Sequence, residues 1–353
     1  MDTKRANNLS AVKNNRLWSG FRRFSLDLPV VYMLAAVCIV MGFLNRNFFS
    51  MANIISMFTS YSYYMIGAIG LVFVFLSGNS GIDLSIGYVT GFSAVVATKT
   101  MSLLSDTFPG LNPWLIIALG LLVSCAIGAL FGLLNGVAVA KFHIAPFIIT
   151  LASQLLAMGL CYVLTNGYTV SGGPRELSRL STLTGIRIGK TIIPMAAIIP
   201  VLLFIVMAFV LGKTTFGRQV ILTGSNPKSA AHAGINIARI YILVYLLSGV
   251  FAGIAAMFIP MCIGGVNPDV GANLLMPMVA AVTIGGISQS GGYGNMVQAG
   301  FGILFIMCLM SAMTFLGFGL PTQQLAYGIV IVFTMTLLGY IEKKRFRVLR
   351  PCI

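Results

Sequence analysis

The stretch PWLIIALGLLVSCAIGALFGLLNGVA, Pro113 to Ala138, carries no charged side chain. As a helix it is long enough to cross a hydrocarbon core of about 30 Å. In lipid every backbone N–H and C=O must be paired within the segment, so such a run reads as a membrane-spanning helix. Working outward, comparable apolar runs recur from Leu28 to Tyr340. The whole chain of 353 residues is 58% hydrophobic and 8% charged, with mean hydropathy +0.96. Soluble domains carry about 25% charged residues. The expected fold is therefore an all-α, polytopic membrane helical bundle with no room for a soluble domain. About ten transmembrane helices are expected, near 29–45, 58–77, 84–103, 113–138, 145–166, 192–211, 240–262, 274–288, 294–315 and 323–341.

The net charge of +15 suggests nucleic acid, but its distribution points to a membrane. Lys4, Arg5, Lys13, Arg16, Arg22 and Arg23 precede the first run, and Lys343, Lys344, Arg345, Arg347 and Arg350 follow the last. Basic residues flanking spans face the cytoplasm, so both termini are expected inside and the number of spans even. Lys141, Lys213, Arg218, Lys228 and Arg239 then also lie inside, giving 16 basic residues inside against 6 outside. The chain divides into a basic segment 1–28, a transmembrane domain 29–341 and a basic tail 342–353. The first run has no cleavage site behind it and reads as a retained span. The segment 167–191 holds four of the six outer charges and is the expected contact for a soluble partner. Of the six cysteines, five sit in or beside apolar helices and none forms a CxxC pair, which suits packing rather than metal or disulfide roles.

Segment 212–239 is a polar stretch between two apolar runs. Asn226 suits a helix N-cap, Pro227 the first helical position, and Gly234 a left-handed stop. A capped two-turn helix is expected at 227–233. It is either an ordinary connector or an element on which a cytoplasmic partner docks. In the docking reading Ala230 and Ala231 allow close approach, while Lys228 and Arg218 pair with acidic groups.

Glycine-rich breaks interrupt the chain at 78–87 and 284–294, between the second and third and between the eighth and ninth spans. Breaks at matching places suggest a two-fold internal repeat and a substrate path. Asn79, Gly81, Ser85, Thr283, Gly285 and Gln289 are candidates for that path, each of which can instead satisfy local backbone. Asp83 is open to two readings, a path residue or a helix cap against free N–H groups. Gly128, Gly132 and Gly136, and Gly249 with Gly253, are spaced for close helix approach.

No phosphate loop is present: Gly189-Lys190-Thr191 and Gly212-Lys213-Thr214 have Thr184 and Met207 where the motif needs glycine. Only Asp83 among seven acidic residues is embedded near spans, and His143 and His232 fall in inner loops. An ion-coupled carrier of a small neutral solute is the alternative, but it would need more buried ionisable groups. A membrane enzyme would need a cluster of them at one face. A partner ATPase is the more economical energy source.

The segment Gly81 to Gly87, GIDLSIG, resembles the GGIDLSVG motif of bacterial ribose/xylose-type ABC transporter permeases. Asn135-Gly136 followed by Pro146 to Leu151 resembles that family's NG…PFIxTL segment. Phe216-Gly217-Arg218, Gly224-Ser225-Asn226, Ala230-Ala231 and Gly234-Ile235-Asn236 resemble its FGR…GGN…AA…GIN loop, and Ile284 to Gly294 its IGG…GGxG segment. The resemblance implies a permease subunit without catalytic or metal residues, sited in the bacterial inner membrane. Its implied partners are a second permease copy or paralogue, a cytoplasmic ATPase that binds ATP and Mg, and a soluble sugar-binding protein. The implied cargo is a monosaccharide or a polyol-like solute. Branched-chain amino acid permeases are distant relatives lacking the IDLS-type motif. Two departures stand out: Leu275-Met276-Pro277 replaces a Glu-Leu-Asp-like stretch, and Asn79-Ser80 stands where glycine precedes Gly81.

Overall fold

The computed structural model describes residues 29–348 apart from Ser80 and Lys190. The basic segment 1–28 and the last residues, 349–353, lie outside the described residues, and with them seven of the 16 basic residues expected inside. Fourteen α-helices are described: α1 (Pro29–Leu44), α2 (Met51–Ser60), α3 (Ser62–Leu76), α4 (Ile86–Thr107), α5 (Pro113–Lys141), α6 (Pro146–Thr165), α7 (Arg175–Thr182), α8 (Met195–Lys213), α9 (Thr215–Ser225), α10 (Pro227–His232), α11 (Ile237–Ile263), α12 (Leu275–Ile284), α13 (Met296–Phe315) and α14 (Leu320–Val348). Each of the ten sequence-predicted spans overlaps at least one helix. By length and apolarity, however, among the described residues only α5, α6, α8, α11 and α13 qualify to cross a membrane alone, and α2 with α3 qualify as a bent pair.

Two departures from the expected spans have local causes. Residues 58–77 do not form one rod: α2 and α3 meet at 55°, and the Tyr61 amide closes the end of α2 on Met57 O and Thr59 O. The expected eighth span, 274–288, shrinks to the ten residues of α12, about 15 Å of helix, because the chain turns at Gly285 and reaches φ +87° at Gly286. A helix that short crosses only half of a bilayer. The segment 167–191 is also more structured than a loop. It holds α7, the strand β1 (Val170–Ser171), β2 (Gly185–Ile188) and the start of β3 (Thr191–Pro194). Strands β2 and β3 pair antiparallel, and β1 pairs antiparallel with β4 (Gly265–Val266) after α11. Ser181 Oγ donates to Met261 O at 2.9 Å, so this segment is tied to the far end of α11.

Helix α11 is the centre of the bundle and packs most extensively on α5. The GxxxG spacing accounts for this contact. A Cβ on Gly128 would overlap Gly249 O, one on Gly132 would overlap Tyr245 O, and one on Gly253 would overlap Ser124 O. Backbones in contact gain dispersion energy over the whole crossing, the main attraction left between helices in lipid. By contrast Phe147, Val163 and Phe209 on α6 and α8 are exposed, as lipid-facing side chains are. Helix α13 begins with a reciprocal cap: Asn295 Oδ1 accepts from Gln298 N at 2.9 Å, and Gln298 Oε1 accepts from Asn295 N at 2.9 Å. Asn295→Ala is expected to lower stability by about 1 kcal/mol. Thermal unfolding of the purified protein in detergent checks this; an unchanged midpoint would show that the cap contributes nothing.

Candidate functional site

The segment 212–239 folds as a helix pair. Thr214 Oγ1 accepts from Gly217 N at 3.2 Å and starts α9, and Asn226 Oδ1 accepts from Ser229 N at 3.1 Å and starts α10. Gly234 follows the helix at φ +83°. Sequence reasoning located both ends of α10, but α10 is not isolated, because α9 leads directly into it. On α10 the side chains divide. Lys228, Ala231, His232 and Ala233 are exposed, as are Asn226, Pro227, Gly234 and Arg218, whereas Ala230 is buried against its own chain. A charge at Ala230 therefore strikes this chain's packing before it reaches any partner.

Helix α9 connects α10 to the membrane breaks. Phe216 stacks on Phe73 of α3 with centroids 6.1 Å apart. At the other end of α9, Gly224 lies against both breaks at once. A Cβ there would overlap Leu76 O and stand 2.5 Å from Gly292 N. Leu76 O accepts from Gly292 N at 3.0 Å, and Ser225 Oγ lies 3.3 Å from Gly292 O. Gly78 at φ +79° and Gly291 at φ +92° complete the contact; a Cβ on Gly78 would lie 2.9 Å from Gly224 Cα. The two breaks and the end of α9 thus meet largely backbone to backbone, with the Ser225 hydroxyl bonded at the edge of the contact.

Deeper in the bundle the first break carries a buried polar chain. Asp83 is 2% exposed. Its Oδ1 accepts from Ser85 N at 3.1 Å and Ser85 Oγ at 2.6 Å, and its Oδ2 accepts from Ser248 Oγ of α11 at 2.8 Å. Asn135 of α5 donates to Ser85 Oγ at 3.0 Å and accepts from Ser153 Oγ of α6 at 2.5 Å. Thr150 Oγ1 adds a contact to Ile82 O at 3.2 Å. Asp83 therefore does not cap the first turn of α4: it holds the amide of Ser85, one residue before the helix, as an Asx turn does, and reaches across to α11. Five side chains from the break and three other helices satisfy one another. This matters because an unpaired polar group at that depth costs several kcal/mol.

The remaining path candidates scatter. Thr283 bonds its own helix, through Oγ1 to Val279 O at 2.9 Å. Gly81 and Gly285 are buried, with Gly78 O and Gln298 O respectively within 2.8 Å of an added Cβ. Gln289 is half-buried in the second break. Asn79 at φ +59° lines a separate cavity with His143 at φ +53°, Pro227 and Tyr241. Sequence reasoning missed Ser153 and Ser248, which read as small packing residues. The signal available was Asn135, a polar amide inside an otherwise apolar run.

The description "Branched-chain amino acid transport system / permease component" covers the family that matches residues 53–335 of this chain. The chain belongs to that permease family. Ribose import permease protein RbsC of Bacillus subtilis is 33% identical over 305 residues, covering 86% of this chain and 90% of the relative. Galactose/methyl galactoside import permease protein MglC of Escherichia coli is 30% identical, covering 89% and 94%. Autoinducer 2 import system permease protein LsrC of Yersinia enterocolitica is 32% identical, covering 80% and 74%. No solved structure matches the chain. The protein is thus a multi-pass permease subunit of an ABC importer. It is not itself the enzyme of that system, because ATP is hydrolysed by a separate subunit. As a permease component it is one part of a larger transport system.

Proposed function

We propose that this permease imports a neutral monosaccharide or a related polyol-like solute. The relatives named for ribose and galactose, and the IDLS-type break, favour a sugar over the branched-chain amino acids of the family description. The permease sits in the bacterial cytoplasmic membrane with both termini and segment 212–239 inside, and pairs with a second copy or a paralogue. A soluble binding protein delivers solute at 167–191. ATP and Mg belong to the cytoplasmic ATPase, and this chain holds no cofactor. The solute passes beside the two breaks, where helix ends free N–H and C=O groups for hydroxyls.

The observation that carries an ATP-driven mechanism is the contact of Gly224 with both breaks. Helix α10 is the exposed end of a lever whose other end touches the interruptions of the spans. A partner that moves α10 on binding ATP shifts the breaks directly. An ion-coupled carrier has no use for such a linkage.

The test is reconstitution with the partner ATPase in proteoliposomes. Uptake of labelled D-ribose or D-galactose should require internal ATP and ignore proton or sodium gradients; gradient-driven uptake without the ATPase would overturn this. Ala231→Asp, on the exposed face of α10, should weaken co-purification of the ATPase about tenfold. Retention of wild-type association would reduce α10 to a connector.

A further inference from the structure

The end of the bundle opposite α10 carries a second cavity, of about 320 Å³, between α3, α12 and α14. It lies on the side of the 167–191 segment, since its floor includes Asn273, a few residues beyond the β1–β4 pair. Its walls include Tyr64, Gln323, Gln324 and Tyr327, and among the described residues no charged side chain lines it. Pocket volumes for small ligands begin at about 300 Å³, and such pockets set a few polar groups among apolar and aromatic walls. The polar groups here are arranged. Gln324 Nε2 donates to Asn273 Oδ1 at 2.6 Å. That bond fixes both amides and leaves the carbonyl of Gln324 as an acceptor beside the NH₂ of Asn273 as a donor. Gln323 is held in turn: its Nε2 donates to Phe318 O at 2.9 Å, and its Oε1 receives the Tyr327 hydroxyl at 3.4 Å. A fixed donor next to a fixed acceptor matches a hydroxyl, which is both. Two such groups on adjacent carbons match better still, while the tyrosine rings cover the C–H face of a ring. A cation or carboxylate would enter without a counter-charge, an unfavourable exchange for its water shell.

We infer that this cavity is a solute-binding site on the delivery side of the permease, selecting uncharged polyhydroxylated molecules through Asn273 and Gln324. This rests on the sugar-import reading and adds the place and the groups that select the solute.

Gly328 gives a clean probe. It lines the cavity, and a Cβ on it meets nothing within 4 Å. A methyl there meets open space, and a longer side chain is expected to take up room in the cavity. The permease is co-expressed with its ATPase and binding protein in cells lacking other ribose and galactose transport, and uptake of labelled D-ribose and D-galactose is measured. Gly328→Leu should lower uptake about tenfold, and Asn273→Leu with Gln324→Leu should lower it about tenfold through KM. Co-purified ATPase reports assembly. In a cysteine-free background, Gln324→Cys should also be alkylated more slowly by a maleimide when the imported sugar is present. Wild-type uptake by Gly328→Leu, or alkylation at the same rate with and without sugar, overturns the inference and leaves sugar import standing. Import of neither sugar by the wild-type complex removes the sugar reading, and the inference falls with it.

Discussion

Gly224→Ala should abolish import while the ATPase still docks. The added methyl would overlap Leu76 O and lie 2.5 Å from Gly292 N, and both are backbone atoms that cannot rotate away. Leu76 O and Gly292 N also bond each other, at 3.0 Å, so the methyl enters a space already closed by a hydrogen bond. Overpacking of this kind costs about 1–3 kcal/mol, and here the relief is to push α9 off the breaks. The exposed residues of α10 are untouched. Uptake in proteoliposomes should fall below about a tenth of wild type, at a similar loss to that expected for larger side chains. Co-purification with the ATPase should stay normal. Normal uptake would sink the lever, because the linkage would then tolerate a gap. Gly234 is the contrasting position. Nothing lies within 4 Å of an added Cβ there, so Gly234→Val meets only the strain of φ +83°. Its effect should be confined to the end of α10.

The bundle was legible because lipid allows few structures. Charge-free runs between polar breaks mark helices whatever their neighbours, and Asn112, Pro113, Asn226, Pro227 and Asn295 mark starts by chemistry local to each turn. The crossing of α5 on α11 was legible for the same reason, since small residues four apart announce a close approach. What the sequence did not disclose is which backbone each glycine approaches. Gly224 reads as one more loop glycine, and only the fold brings it to Gly78 and Gly292. The same holds for the polar chain. Asp83 looked like a local cap because a helix begins just after it, yet its second oxygen is held by Ser248, far along the chain. Serines in apolar runs carry no sign of the helix they will face. The bend between α2 and α3 was equally hidden, for it has neither proline nor glycine at the joint.

The second large effect is expected at Asp83, and it separates the two roles open to a buried carboxylate. Asp83 is 2% exposed and accepts three hydrogen bonds, from Ser85 N, Ser85 Oγ and Ser248 Oγ. A solute that used this carboxylate would have to displace one of those donors. Asp83→Ala removes the acceptor and leaves the donors in a dry interior, at about 1–3 kcal/mol for each one orphaned. The charge itself was costly to bury, so part of that loss is returned when it is removed. Asp83→Asn keeps one oxygen for Ser85 and offers an NH₂ to Ser248 Oγ, which then acts as acceptor. The expected order of stability is therefore wild type, then Asn slightly lower, then Ala well below both, read as unfolding midpoints in detergent. Uptake should follow the same order, with Asn retaining most of it, because the group joins α4, α5, α6 and α11 rather than touching cargo. An Asn variant that folds normally but imports nothing would move Asp83 to the solute path, and an Ala variant with the wild-type midpoint would show that the buried chain does not hold the break together.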